Sequence, residues 1–228
     1  MKNEEPKIKV SKNGPYLVSG SVPLSREAII TDKEGVPEKW KEEKKFEAKE
    51  NYTLCRCGNS KNKPFCDGSH IKTKFDGTET ADINEKYLDN IEITNSPDLI
   101  LQDNEKICIG AGFCDRNDGT WELTRKSGSK ECRDLAIEQA CDCPSGRLVA
   151  IDKKTKKPIE TLFKPSIALI EHPNHTVSGP LWVRGCIPIE SYEGKQYEKR
   201  NRVTLCRCGK SSNKPFCDGT HIDVRFKD

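Results

Sequence analysis

The chain contains one sequence twice. Residues 53–75 read TLCRCGNSKNKPFCDGSHIKTKF and residues 204–226 read TLCRCGKSSNKPFCDGTHIDVRF, with 17 of 23 positions identical at an offset of 151. The likeness continues upstream, where residues 14–24 resemble residues 179–189 at an offset of 165. The first copy therefore has 14 additional residues, and they fall in the charged stretch 25–45, which we predict to be a loop. An internal repeat of this length predicts two copies of one structural unit.

The supply of apolar residues limits how these copies can fold. Only 33% of the 228 residues are hydrophobic, and an equal share is charged. The second copy, residues 173–228, is too short to bury an independent core of any size. We therefore expect the two copies to pack against each other. The predicted division is a first unit at 1–82, an inserted segment at 83–172 and a second unit at 173–228.

The inserted segment has a different pattern. Residues 131–140 place Cys132, Leu135, Ala136 and Ala140 on one face of a predicted helix. Stretches near 147–152 and 166–171 have the composition of strands. The segment is predicted to be a small α+β domain, and the whole chain is assigned to the α+β class.

Charge and hydropathy exclude two classes of partner. The 39 basic and 36 acidic residues are interspersed and leave a net charge of +3, so we predict no nucleic-acid partner. No apolar run approaches the roughly 18 residues of a membrane span. The first ten residues lack the apolar core of a secretory signal, so a cytoplasmic location is expected. In that reducing compartment the 12 cysteines indicate metal or redox sites rather than disulfides.

Each repeat carries the pattern C-x-C-x8-C-x3-H. The predicted metal ligands are, in the first copy, Cys55, Cys57, Cys66 and His70, and in the second, Cys206, Cys208, Cys217 and His221. Three thiolates and one imidazole supply the four ligands that two sulfide-bridged tetrahedral irons require. The same set also occurs at structural zinc sites, although those more often use a C-x2–4-C spacing. The spacing of the ligands alone is therefore compatible with either iron or zinc.

The wider string around these ligands is more specific. At both sites it reads C-x-C-x2-S-x3-P-F-C-D-G-S/T-H, which resembles the CDGSH family of iron–sulfur domains. The resemblance implies one [2Fe–2S] cluster in each copy and a β-rich fold in which two motif units pair. A double motif in one chain then implies a pseudo-dimer within a single, monomeric chain.

A third group of cysteines lies in the inserted segment. Five residues separate Cys108 from Cys114, and Cys143 begins the string Cys-Pro-Ser-Gly after 28 further residues. Bacterial ferredoxins use C-x2-C-x2-C with a distant Cys-Pro, but here Ala111 stands at the second cysteine position. The pattern resembles divergent single-cluster ferredoxins and implies a [3Fe–4S] cluster, or a [4Fe–4S] cluster with Cys141 as the candidate fourth ligand. A cysteine-rich domain without metal is the alternative.

The remaining candidates are assigned structural roles. Cys132 is expected to pack on the helix, and Cys186 aligns with Ser21 of the first copy. His172 and His175 flank a segment that we predict to be an exposed linker. No nucleophile–base pair or phosphate-binding loop stands out, so the chain is not expected to be an enzyme.

The two resemblances together imply one-electron transfer or redox sensing with an unidentified redox partner. Donation of clusters to an apo iron–sulfur acceptor protein and a structural zinc scaffold are the alternative functions.

Overall fold

The computed structural model describes residues 4–228. Its strands are β1 (Lys7–Val10), β2 (Tyr16–Ser19), β3 (Leu24–Thr31), β4 (Pro37–Phe46), β5 (Tyr52–Leu54), β6 (Glu92–Asn95), β7 (Leu99–Asp103), β8 (Leu148–Asp152), β9 (Pro158–Ile159), β10 (Ser166–Glu171), β11 (Ser178–Arg184), β12 (Ile189–Glu190) and β13 (Arg202–Leu205). Its α-helices are α1 (Ser69–Lys72), α2 (Thr120–Arg125), α3 (Lys130–Asp142) and α4 (Thr220–Asp223). Short 3-10 turns cover Tyr87–Asn90, Glu105–Ile107, Phe113–Asp115 and Pro173–His175. None of these helices has the length and apolar character that a membrane crossing requires.

The strands form three sheets. The first has the order β12-β1-β2-β5 and the second the order β13-β11-β10-β3-β4. Both contain strands from the first and the last third of the chain. The third sheet, β6-β7-β8-β9, is built from the middle segment alone, and α2 and α3 pack against it. The chain is thus of mixed α+β class, as predicted.

The first two sheets exchange equivalent strands. In the first sheet β1 pairs in parallel with β12, with Ile8 opposite Ile189. In the second sheet β10 pairs in parallel with β3, with Ile167 opposite Leu24. Leu24 and Ile189 occupy the same position of the repeat, so each copy contributes the same strand to the sheet of the other.

A single hydrophobic cluster lies between these sheets and draws on both copies. Its most buried members include Tyr16 and Leu54 from the first copy and Leu181 and Leu205 from the second, each at most 1% exposed. Full burial of a large apolar side chain contributes about 1.5–3 kcal/mol. This cluster therefore contains buried residues of both copies.

The additional residues of the first copy form a hairpin, so the predicted loop was wrong. β3 and β4 pair along their length, from Leu24 opposite Phe46 to Thr31 opposite Pro37. Ala28 and Ile29 of β3 are buried, and β3 also pairs with β10 on its other side. The exposed lysines and glutamates that suggested a loop lie on β4, the edge strand, where charged side chains discourage pairing with another chain.

The middle segment has the predicted elements. Helix α3 covers the expected range and buries Ala136 and Ala140, each 1% exposed. Strands β8 and β10 lie at the two predicted stretches. Strand β10 belongs to the second sheet, where it pairs with β11 and β3 of the outer segments. The domain bounds 1–82, 83–172 and 173–228 stay predictions.

Candidate metal centres

The predicted ligands of each repeat lie together as two pairs. In the first copy the Sγ atoms of Cys55 and Cys57 are 3.8 Å apart, and Cys66 Sγ lies 3.4 Å from His70 Nδ1. The second copy repeats these pairs, with 3.6 Å between the Sγ atoms of Cys206 and Cys208 and 3.3 Å between Cys217 Sγ and His221 Nδ1.

These separations suit ligands that share one metal ion. With metal–ligand bonds of about 2.0–2.3 Å, two ligands of one tetrahedral ion lie about 3.5–3.8 Å apart. Each pair therefore fits one metal. Over residues 4–228, no three or more Cys, His, Asp or Glu side chains converge on a position for a single ion.

Backbone hydrogen bonds fold the loop between the second and third cysteine back onto the preceding strand. The amide of Cys55, just after β5, donates to the carbonyl of Pro64 at 2.8 Å, and the amide of Cys66 donates to Thr53 at 3.0 Å. In the second copy Cys206 and Cys217 make the same two bonds, each at 2.9 Å. The repeated sequence thus produces the same ligand loop twice.

An Asp-Gly pair sets the position of the ligand histidine. The carboxylate of Asp67 accepts hydrogen bonds from the amides of Lys61 at 2.8 Å and Ser69 at 2.9 Å. The Lys61 and Ser69 contacts hold the pKa of this carboxyl well below its usual range. Gly68 has a φ of +83°, a conformation that favours glycine, and α1 starts directly after it. His70 is therefore held one helical turn beyond Cys66.

The two ligand sets differ in their exposure. In the second copy Cys206, Cys208, Cys217 and His221 are 1–6% exposed. In the first copy Cys55 and Cys57 are equally buried, but Cys66 and His70 are partly exposed. The first site is therefore open to solvent on its Cys66–His70 side, whereas the second is closed.

A histidine that the sequence analysis placed in an exposed linker closes the second site. His172 is 8% exposed, and its Nε2 atom lies 3.0 Å from Nε2 of His221. Burial lowers the pKa of His172, and burial also lowers the pKa of His221 to about 3. The linker prediction was wrong for His172, because the β10–β11 turn carries it to α4; His175 does lie at the surface. No sequence signal marked this contact, since it joins residues from separate elements.

The arginines between the first two cysteines of each copy have different surroundings. Arg207 donates to the Glu171 carboxylate at 2.9 Å and also contacts Asp228. Its counterpart Arg56 is 1% exposed and bonds the carbonyl of Gly77, while its Nε and Nη1 atoms lack a partner. In place of an ion pair, the Arg56 guanidinium lies over the rings of Tyr16 and Phe75. The donor set of the first site, three thiols and one imidazole, fits an iron–sulfur cluster.

The two ligand loops touch each other through their glycines. A Cβ atom added to Gly58 would lie 2.7 Å from the carbonyl oxygen of Cys208. One added to Gly209 would lie 2.8 Å from the carbonyl oxygen of Cys57. Only glycine permits this approach, and the contact is reciprocal. The backbones of the two ligand sets are therefore adjacent.

The three cysteines predicted for a central cluster line one cavity. Cys108, Cys114 and Cys143 surround a volume of about 170 Å³. Arg147 also lines it; its guanidinium donates to Asp103 at 2.6 and 2.9 Å, and the Asp103 and Cys108 contacts raise its pKa. This cation beside three thiols fits an anionic cluster here as well.

The other cysteines of the segment lie apart from that cavity. The Cys141 thiol points to the carbonyl of Ile159, 3.6 Å away, and among the described residues Cys141 is not part of the cavity wall. Cys132 packs against the core of the middle segment, as expected.

Cys186, in the second repeat, is exposed with a φ of +57°, which matches the +53° of its counterpart Ser21. Asp115, which the sequence analysis did not consider, is in the cavity wall beside Cys114.

The central cavity packs directly on the second ligand set. The carbonyl oxygen of Cys108 lies 3.2 Å from a Cβ added to Gly219, which precedes α4. A Cβ added to Gly110 would lie 2.5 Å from Cδ1 of Ile222 on α4. Cys217 also shares a buried cluster with residues of the 108–114 loop. The central site is thus a neighbour of the second site.

Arg202 joins the same two regions. It lies on β13, the strand that leads to Cys206, and is 2% exposed. Its guanidinium donates to the carbonyls of Ala140, Cys141 and Cys143 at 2.7–2.9 Å, and to Glu160 at 2.7 Å. These bonds satisfy the carbonyl of Cys141 at the end of α3 and give those of Ala140 and Cys143 a donor in addition to their backbone amides. The position of Cys143 therefore depends on a residue from the second repeat.

Paired thiols and imidazoles indicate a metal-binding protein, and the families that its segments match place it in the iron–sulfur class. Residues 13–71 and 178–222 match the family described as iron-binding zinc finger, CDGSH type. Residues 94–153 match the family described as divergent 4Fe-4S mono-cluster. The chain therefore carries two CDGSH-type segments on either side of a ferredoxin-like segment, and both resemblances are confirmed. No curated protein and no solved structure gives a significant match.

Proposed function

We propose that this protein transfers single electrons through three iron–sulfur clusters and has no catalytic turnover of its own. Two [2Fe–2S] clusters are held by three cysteines and one histidine each: Cys55, Cys57, Cys66 and His70, and Cys206, Cys208, Cys217 and His221. A third, [3Fe–4S] or [4Fe–4S], cluster is held by Cys108, Cys114 and Cys143. The clusters supply reversible one-electron chemistry, and the chain acts as a monomer with an unidentified redox partner.

The main support for this proposal is the distance between the two ligand atoms of each pair. Separations of 3.8 and 3.4 Å in the first site, and of 3.6 and 3.3 Å in the second, suit two metals with two protein ligands each. A single structural zinc needs all four ligands around one ion. A binuclear iron cluster uses the observed pairs without rearrangement of either.

The pseudo-dimer belongs to the same proposal. The reciprocal pairing of β1 with β12 and β10 with β3 supports two CDGSH units related by a pseudo-two-fold axis. The reciprocal Gly58 and Gly209 contacts, which bring the ligand loops together, support it further. With the central site packed on α4, the three sites follow the order central, second, first. Such an arrangement favours electron transfer between neighbours.

The decisive experiment is anaerobic purification followed by iron, sulfide and zinc analysis, with electron paramagnetic resonance of oxidised and reduced samples. We expect about seven or eight irons per chain if all three sites are filled, and about four if only the outer two are. Reversible reduction by dithionite without loss of iron supports electron transfer. Colourless protein that is rich in zinc would exclude it.

Exposure of the first site favours one second candidate, donation of a cluster to an apo iron–sulfur protein. Cys66 and His70 are accessible, as a transferable cluster requires, whereas Cys217 and His221 are buried. Mixing the loaded protein with an apo-ferredoxin distinguishes the two functions. Rapid handover of the cluster supports donation, and reduction without handover supports electron transfer.

A further inference from the structure

One face of the repeat is covered in the second copy. Around α4, the carbonyl oxygen of Cys108 lies against Gly219, and Gly110 lies against the side chain of Ile222. Ile222 is 38% exposed in this position. The covering loop is the ligand loop of the ferredoxin-like segment. The second copy thus shows how a ferredoxin-type loop packs on a CDGSH helix.

The equivalent face of the first copy is open. A Cβ added to Gly68, the counterpart of Gly219, would have no atom within 4 Å. Ile71, the counterpart of Ile222, is 74% exposed. His70 and Cys66, the partly exposed ligands of the first site, lie next to these residues. An apolar side chain is therefore presented to solvent directly beside the open metal site.

The open face also differs in charge from the covered one. Lys61, Lys72 and Lys74 are exposed around it, and their counterparts in the second copy are Ser212, Asp223 and Arg225. Asp67, an acid of the same loop, accepts hydrogen bonds from the amides of Lys61 and Ser69. A cluster of lysines around an apolar centre attracts an acidic surface and accelerates its association.

We propose that this α1 face, formed by Lys61, Gly68, Ile71, Lys72 and Lys74, docks a separate ferredoxin-type electron-transfer protein with an acidic surface. The partner covers Gly68 and Ile71 as the central loop covers Gly219 and Ile222. This docking rests on the proposed function, electron transfer, and it makes the first site the point at which electrons enter from a ferredoxin-type partner. In the step itself one electron leaves the reduced ferredoxin, which is oxidised, and the first site is reduced. No bond or proton is transferred.

The test uses the full-length, iron-loaded protein and an acidic plant-type [2Fe–2S] ferredoxin reduced with dithionite. Stopped-flow absorbance gives the second-order rate constant of reduction at several salt concentrations. We expect the rate to fall steeply with salt, since the attraction between exposed charges is screened. At low salt, Lys72→Glu with Lys74→Glu lowers it about tenfold. Arg225→Glu with Lys227→Glu, which makes the same change of net charge at exposed positions of the second copy, is the control and leaves the rate within about twofold.

A binding measurement tests the same face without electron transfer. With ¹³C-labelled isoleucine methyl groups, we expect the Ile71 resonance to shift or broaden when oxidised ferredoxin is added, and the buried Ile167 resonance to stay unchanged. Ile71→Ser weakens the binding about fivefold, since it removes exposed apolar area from the contact. Iron content and circular dichroism of each variant verify that its sites and fold are intact.

The outcomes separate this inference from the proposed function. If dithionite does not reduce the first site reversibly, the proposed function fails. If dithionite reduces it but ferredoxin does not, or if the Ile71 and lysine variants match the unmodified protein in rate and binding, the docking face is refuted and electron transfer stands. A cationic cytochrome that reacts faster than the acidic ferredoxin would also refute it.

Discussion

Replacing Arg202 with methionine tests whether this buried arginine holds the middle segment to the second repeat. Methionine retains most of the apolar stem but removes the guanidinium. The change leaves the carbonyl of Cys141 without a donor and Glu160 without its partner. The carbonyls of Ala140 and Cys143 lose one donor each but keep the backbone amides of Cys143 and Gly146. The perturbation is therefore confined to the end of α3 and the strand beside it.

The cost follows from these contacts. A buried polar group left without a hydrogen bond costs about 1–3 kcal/mol. Removal of one partner of a buried ion pair costs about 3–5 kcal/mol. Glu160 is partly exposed, so its carboxylate can hydrogen-bond to water once the arginine is removed. Some of the carbonyls at the end of α3 can do the same. We therefore expect Arg202→Met to lower the free energy of unfolding by about 4 kcal/mol.

Urea unfolding of the iron-loaded protein, followed by far-UV circular dichroism, measures the change. Arg125→Met serves as the matched control, because Arg125 is 58% exposed and pairs with Glu122 only at the surface. The control is expected to lose about 0.5 kcal/mol or less. We also expect Arg202→Met to lose iron from the central site first, because Cys143 is next to the freed carbonyl of Cys141. A destabilisation no larger than that of Arg125→Met would refute the reasoning.

Three further predictions concern the ligands and the pH dependence. His70→Cys adds a thiolate to the first site and is expected to lower its reduction potential toward about −400 mV, while the second site keeps its own; a redox titration followed by electron paramagnetic resonance measures both. Cys143→Ser is expected to abolish the signal of the central cluster and Cys141→Ser to retain it, because only Cys143 lines the cavity; equal loss in both would contradict this. Hydrogen bonds from Thr155 lower the pKa of the Asp152 carboxyl, so its contribution to stability is present above the ordinary carboxyl pKa and is lost as the pH falls through the lowered value. Asp152→Asn is therefore expected to reduce the loss of stability in urea titrations between neutral and acidic pH, and an unchanged loss would contradict the assignment.

Most of what could be predicted from the sequence was predicted from the internal repeat. The low apolar content of one copy predicted that the copies pack together, and one cluster does contain residues of both. The C-x-C-x8-C-x3-H spacing predicted neighbouring ligands, and the structure has Cys55 beside Cys57 and Cys66 beside His70. Short-range patterns of this kind are encoded locally. The same holds for helix α3, whose apolar spacing was sufficient to locate it.

What could not be predicted depends on contacts between distant segments. The contact between His172 and His221 joins a turn to a helix 49 residues later, and neither sequence pattern refers to the other. The charged residues of the β3–β4 hairpin predicted a loop, but most of them lie on β4, the edge strand of the second sheet. That β4 is an edge strand follows from the pairing of β3 with β10, a contact between distant segments. Arg202 likewise resembles any surface arginine until the end of α3 is placed beside it. The partly exposed first site and the closed second site differ for the same reason, although their sequences are nearly identical.

The exchange of strands between the repeats has a consequence for biosynthesis. Strand β1 pairs with a strand that lies far along the chain, Ile8 opposite Ile189, so β1 is synthesised long before its partner β12. The sheet that supports the first four ligands is therefore incomplete until β12 has been translated, and such distant pairings form slowly. During this interval the thiols of the nascent chain stand beside unpaired strand edges, which are prone to aggregate. Assembly of the sheet beside the first ligand set must accordingly wait for the synthesis of β12.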